Sequence, residues 1–155
     1  MSSEFVSRME DVLDLYSQPV DQKRPLVCFD EKLCQLIKNV NQPILPKAKT
    51  QEKSGKVGKI DYEYERNGTG NLFAFLAPYL GWRHIQVIHR STVVDFAHCM
   101  KELVNIHFPE ASVIRLVLDN LNTHTIAALY EVFEPAEARR IAKKLEIHHT
   151  PKHGS

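Results

Sequence analysis

Apolar residues near the start of the chain recur at helical spacing. Phe5, Val6, Met9, Val12, Leu13 and Tyr16 line one side, with Glu4, Arg8, Glu10, Asp11 and Asp14 between them. This predicts an amphipathic helix over residues 3–16 with a solvated polar face. "SQPVDQKRP" then breaks the pattern at Pro19 and Pro25. "LVCFDE", 26–31, is a short apolar run behind Pro25 and predicts a buried strand, with "KLCQLIKN" as a second short extended piece. "QPILPKAKTQEKSGKVGK" carries Pro43, Pro46, Gly55, Gly58 and Lys47, Lys49, Lys53, Lys56 and Lys59. Such a segment buries little and predicts a loop.

The pattern then changes to period two. "NLFAFLAP" predicts one strand. "WRHIQVIHR", with Ile85 and Val87 set against His84 and Gln86, predicts a second, joined to the first by a short hairpin over Pro78–Gly81. "STVVDFAHCMKELVNIHFPE" returns to helical spacing: Val93, Phe96, Ala97, Met100, Leu103, Val104 and His107 share a face. Thr92 followed by Asp95 fits a capping box, and Pro109 ends the helix. "SVIRLVLD" is nearly continuous apolar sequence, the pattern of a central strand covered on both faces. "TIAALYEVFEPAEARRIAKK" predicts one helix, or two joined at Pro135, and "LEIHHTP" a last short strand. The order is helix, β, long loop, β, β, helix, β, helix, β. It implies an α/β fold with a mixed five-stranded sheet flanked by helices.

Composition adds bounds rather than direction. The chain has 155 residues, 43% hydrophobic and 25% charged, which is normal for one globular domain. A net charge of +1 leaves any basic surface to local clustering. Cys28, Cys34 and Cys99 are odd in number and lack CxxC spacing, which points away from a disulfide framework and toward a reducing cytosol. "MSSEFVSRMED" has no signal-peptide core, and no apolar run is long enough to span a bilayer. The expected location is cytoplasmic, without membrane contact.

Candidate chemistry gathers at strand ends. Asp30 ends the first predicted strand and Asp119 the fourth, 89 residues later (119 − 30). If those strands are parallel neighbours, the two carboxylates lie together. Close carboxylates repel unless a cation sits between them. Mg²⁺ takes oxygen ligands of this kind, and two metals roughly 3.5–4 Å apart can activate water and stabilise the leaving oxygen of a phosphodiester. Taken singly, Asp30 is a strand-end residue and Asp119-Asn120 a turn. Taken together, in this order of elements, they suggest a metal site.

Several longer stretches carry a resemblance: "VCFDEK", "YEYERNGTGNLFAFLAP", "GWRHIQVIHRSTVVDFA", "LVLDNLNTHT" and "LYEVFEPAEARRIAKKLEIHHTPKHGS". They resemble the catalytic domain of bacterial insertion-sequence transposases of the mariner-like DDE superfamily, over about residues 4–155. The resemblance implies a ribonuclease H-like fold and a triad of acids, with Asp30 the first and Asp119 the second. It also implies Mg²⁺ (or Mn²⁺) as cofactor, transposon ends and target DNA as partners, and room for a homodimer. Asn122 and His124 match the polar tail after the second acid and would position Asp119, water or the scissile phosphate. With equal weight, Asn122 and Thr123 cap the next helix. Residues 1–24 read as a connecting helix and linker, and 25–155 as the catalytic domain.

In the family the third acid, usually Glu, lies on a helix beyond "TPKHGS". The expectation is therefore a chain truncated before that acid and inactive alone. Glu131, Glu134, Glu137 and Glu146 sit on the wrong elements to replace it, and Glu31 should point away from Asp30 on the strand. The alternative is a non-catalytic remnant that binds DNA or dimerises with an intact transposase. The five lysines of 47–59 contact DNA phosphates or are simply solvated. Trp82 and Arg83 fit either DNA contact or, for Trp82, the core. His148, His149 and His153 read as strand-end residues, although His149 and His153 have a spacing zinc can use. "SGKVGK" lacks the spacing of a phosphate loop.

Overall fold

The computed structural model describes residues 2–40, 64–90, 92–119 and 124–151. The chain divides into two compact units, Met1–Lys32 with Asn71–Ser155, and Leu33–Gly70. Its helices are α1 (Ser3–Ser17), α2 (Val93–Glu102), α3 (Ala127–Val132) and α4 (Pro135–Ala142). Its strands are β1 (Leu26–Asn39), β2 (Tyr64–Ala77), β3 (Trp82–Ile88), β4 (Ile114–Leu118) and β5 (Leu145–His149). The sheet order is β3-β2-β1-β4-β5. β2 and β3 are antiparallel, while β4 runs parallel to both β1 and β5. This is the expected mixed five-stranded sheet. No helix among the described residues is long and apolar enough to cross a membrane.

In the larger unit the sheet buries its two faces differently. On one face Val27, Phe29, Phe73, Leu116 and Leu118 pack against Phe96 and Met100 of α2, Leu129 of α3 and Ile141 of α4. On the other, Leu26 and Val117 pack against Leu15 of α1, with Val12, Tyr16 and Cys28 around them. β4 lies between both layers and is buried at every position. That explains why its sequence is apolar without alternation. β3, at the edge, alternates: Ile85 and Val87 are exposed, while Trp82, His84 and Gln86 turn half-buried toward α2. The smaller unit is open by comparison, with Leu33, Leu36 and Ile37 exposed and Gln35 Nε2 donating to the Gly68 carbonyl at 2.5 Å.

Local signals explain the ends of elements. Thr92 Oγ1 accepts from the Asp95 amide, and Asp95 Oδ2 accepts from the Thr92 amide, so the capping box at α2 closes in both directions. Pro78–Leu80 forms a single 3₁₀ turn between β2 and β3, stopped by Gly81 at φ +61°. Glycine enters that left-handed region without steric cost. Pro135 separates α3 from α4, as one of the two sequence readings allowed.

Three expectations need correction. β1 is one strand of 14 residues, because "KLCQLIKN" extends it without a break, so Asp30 lies within the strand rather than at its end. The helix after Thr92 is α-helical only to Glu102; Leu103–His107 is a π-helical turn, closed by the Phe108 amide bonding the Leu103 carbonyl at 3.0 Å. The polar side of α1 is also not wholly solvated, since Asp11 Oδ2 lies 2.8 Å from His148 Nδ1 on β5. The lysine loop, with Lys47, Lys49, Lys53, Lys56 and Lys59, lies outside the described residues.

Candidate active site

Strand register decides where the two carboxylates stand. Leu26 pairs with Arg115, Val27 with Leu116 and Cys28 with Val117, an offset of 89 residues (115 − 26). Asp30 and Asp119 have that same offset, so the pairing carried two residues further sets them side by side beyond the paired ends of adjacent parallel strands. Alternation along β1 fixes the face as well. Leu26, Cys28 and Asp30 point toward the α1 side, while Val27, Phe29 and Glu31 point toward the α2 side. Asp30 is exposed and Asp119 half-buried.

Beside Asp30 the sheet face is not covered. Asp30, Ala74, Leu76, Arg83 and Ile85 line an open cavity of about 340 Å³, which Phe29 and Phe75 also border. A carboxylate and a guanidinium thus share a groove that is otherwise apolar. Among the described residues Asp30 has no hydrogen-bond or ion-pair partner, so its oxygens are available to a cation. Cys28 adjoins the same groove. Burial pushes its thiol upward, against a hydrogen bond with Tyr16 at 2.9 Å. It is a packing residue rather than a nucleophile.

Asp119 is held from behind. His124, wholly buried, places Nδ1 at 2.9 Å from Asp119 Oδ1 and Nε2 at 3.2 Å from Glu31 Oε2. The Nδ1 contact is a hydrogen bond. The Nε2 contact is close in distance but lacks hydrogen-bond geometry. The ring is fixed by aromatic neighbours: it stacks on Phe96 at 4.9 Å and meets Phe29 edge-on at 5.0 Å. A second histidine, His149, has Nδ1 at 3.2 Å from the Asp119 carbonyl. The carboxylate at the end of β4 is therefore oriented by side chain and backbone together. Buried imidazoles that steady a ligating carboxylate commonly set its orientation and its affinity for metal.

The expected residues divide as follows. Asp30, Asp119 and His124 come together, while Asn122 and His153 lie outside the described residues. Glu31 does point away from Asp30, as alternation requires, yet its carboxylate reaches His124. Sequence reasoning missed that link because alternation excludes Glu31 from the Asp30 side without saying what it meets on the other. Glu137 and Glu146 are engaged elsewhere. Hydrogen bonds from Arg140, then Lys101, hold the pKa of the half-buried Glu137 carboxyl at about 2. Glu146 bonds His148 and Arg24. Trp82 packs half-buried against Phe108, as the core reading has it, and Arg83 faces the groove.

Two aspartates on adjacent parallel strands, Asp30 within β1 and open to solvent and Asp119 just past β4 and braced by a buried histidine, offer hard oxygen donors. Such donors suit Mg²⁺ or Mn²⁺. The sheet itself, β3-β2-β1-β4-β5 with helices on both faces, is of the ribonuclease H-like class. The family model described as "DDE superfamily endonuclease" matches residues 25–155, and the chain belongs to that family. The DDE endonuclease superfamily is divalent-metal dependent. Two similar solved structures are the Mos1 strand transfer complex and the Mos1 mariner paired-end complex with Mn. The first has a TM-score of 0.54 at 11% identity, covering 94% of this chain and 40% of that one. The second has a TM-score of 0.51 at 12% identity, covering 92% and 40%. The shared fold is the ribonuclease H-like catalytic domain of Mos1 transposase. The chain spans about 40% of the length of these relatives. No curated protein matches it.

Proposed function

We propose that residues 25–155 are the catalytic domain of a mariner-like DDE transposase, with 1–24 as its connecting helix and linker. The observation that carries this reading is the shared 89-residue offset, which brings Asp30 and Asp119 to one place from distant parts of the chain. Asp30 and Asp119 would hold Mg²⁺ (or Mn²⁺). That ion would supply Lewis-acid stabilisation of phosphate charge and lower the pKa of water used for phosphodiester hydrolysis.

The protein's own residues do the positioning. His124, backed by Glu31, keeps Asp119 in one rotamer, so little reorganisation remains when DNA arrives. The groove beside Asp30 offers an apolar lining and the Arg83 guanidinium, which suits a sugar-phosphate strand. Lys47, Lys49, Lys53, Lys56 and Lys59 would add salt-sensitive phosphate attraction. Transposon ends and target DNA are the partners, a homodimer the working form and the cytoplasm its place.

Mn²⁺ binding to the purified chain tests the site. Asp30→Asn and Asp119→Asn should each weaken it at least tenfold, and unchanged affinity in either variant would remove that residue from the site. In the full-length protein, the same substitutions should abolish Mn²⁺-dependent cleavage of transposon-end DNA. Retained cleavage overturns the catalytic assignment.

A further inference from the structure

On the α2 face of the sheet, away from Asp30, three more ligating side chains converge. One ring nitrogen of His84, one of His107 and a carboxylate oxygen of Glu102 lie within 4.8 Å of one another. All three residues are half-buried, and the two imidazole rings are 4.4 Å apart at 44°. Among the described residues none of the three side chains makes a hydrogen bond or ion pair.

The backbone gives an independent reason to regard the cluster as built. Glu102 and His107 are five residues apart. At 3.6 residues per turn, five residues carry a side chain roughly 140° round the helix, away from its partner. The π-helical turn Leu103–His107 undoes that separation, because i→i+5 bonding brings residues five apart nearly into line. Such turns are rare and concentrate at functional sites. Here the turn brings His107 alongside Glu102, with both facing His84 on β3.

We propose that His84, Glu102 and His107 form a transition-metal site, selective for Zn²⁺ over Mg²⁺, that clips the end of α2 to the edge strand β3. Two imidazoles and one carboxylate are a recognised three-ligand set for zinc, with water in the fourth position. Tetrahedral bonds of about 2.0–2.1 Å put ligand atoms roughly 3.4 Å apart, so the side chains close inward by side-chain rotation on binding. Mg²⁺ prefers oxygen ligands and does not compete well for such nitrogens. The site is chemically distinct from the Asp30–Asp119 pair and does not depend on the function proposed for it.

Trp82 makes the proposal measurable. It is the single tryptophan of the chain, stacked 15° from His84 and with its ring 5.1 Å from that of His107. Co²⁺, which substitutes for zinc and quenches indole fluorescence, should quench Trp82 in the purified full chain, and added Zn²⁺ should restore the signal. Saturating Zn²⁺ should raise Tm by about 5–10 °C at about 100-fold above Kd. His84→Ala, His107→Ala and the shape-preserving Glu102→Gln should each weaken Co²⁺ quenching at least tenfold, while Asp119→Asn leaves it unchanged. The Glu102→Gln variant keeps the test valid if a histidine variant does not fold. Absence of saturable quenching in the wild type overturns the proposal. So does quenching that survives in Glu102→Gln and both histidine variants, or that Mg²⁺ displaces as well as Zn²⁺.

Discussion

The centre and the edge of the sheet use the same strand chemistry for opposite ends. At the centre, the first four residues of β1 and all of β4 are covered, and an aspartate follows each where cover ends. At the edge, β3 is covered on one face, so every second residue is solvent-facing, while Trp82, His84 and Gln86 turn inward. A strand buried on both sides can place a functional group only at its tip. An edge strand can place one at every other position. The contrast separates an aspartate pair where central cover ends from a histidine cluster along an edge.

The largest expected difference between the two regions is in stability. Phe73, fully buried, should cost about 3–5 kcal/mol as Phe73→Ala. Ile85, 61% exposed on β3, should cost about 0.5 kcal/mol or less as Ile85→Ala. Urea melts of both variants measure this, and equal costs would erase the distinction between centre and edge.

Next comes His124, where stability and site geometry are joined. His124→Ala removes a buried ring and leaves the Asp119 and Glu31 carboxylates without it, for an expected loss of about 2–4 kcal/mol. Mn²⁺ affinity should fall by about 10–100-fold through Asp119. A variant as stable as the parent and with full Mn²⁺ affinity would show that the histidine does not brace the acid.

Arg115 tests the centre on its α1 side. It is buried on β4, with Nε donating to the Arg24 carbonyl and Nη1 to Gln18 Oε1. Arg115→Met keeps the stem but strands both acceptors, for an expected cost of about 1–2 kcal/mol by thermal melting. A neutral result would mean that the 18–24 linker finds other partners.

The smallest effect should appear at the opposite edge, on β5. Burial pulls the His148 imidazole down, but hydrogen bonds with Asp11 and Glu146 outweigh it, and its pKa ends above 6.5. Its contribution to stability is therefore complete below pH 6.5 and fades as pH rises through the raised value. The His148 hydrogen bond in turn lowers the pKa of Glu146, whose contribution is present above 4.5 and fades as pH falls through its lowered value. Tm should show a shallow maximum between those limits, and His148→Gln should flatten it. A maximum that persists in the variant would place its origin elsewhere.

How much of this was legible beforehand varied by region. The apolar run of β4, the capping box at Thr92 and Asp95, the alternation in β3 and the break at Pro135 are local patterns, and each was readable directly. The length of β1 was harder to read. "KLCQLIKN" has no clean two-residue period, and its exposure leaves little apolar signal to find. The π-helical turn was hidden for another reason. Leu103, Val104 and His107 fit an α-helical face well enough that nothing in the sequence announced a change of pitch.

The sequence by itself determined the candidates: an aspartate after each of two apolar runs, a histidine five residues beyond the second, and an element order that makes those strands parallel neighbours. These follow from short-range periodicity, which local sterics and burial impose on any chain. Only the tertiary structure decided the pairings. The register that joins Asp30 to Asp119, the closure of His124 between Asp119 and Glu31, and the meeting of His84 with Glu102 and His107 all depend on contacts between separate elements. Their geometry is fixed by how the two sheet faces fill, and no local pattern encodes it.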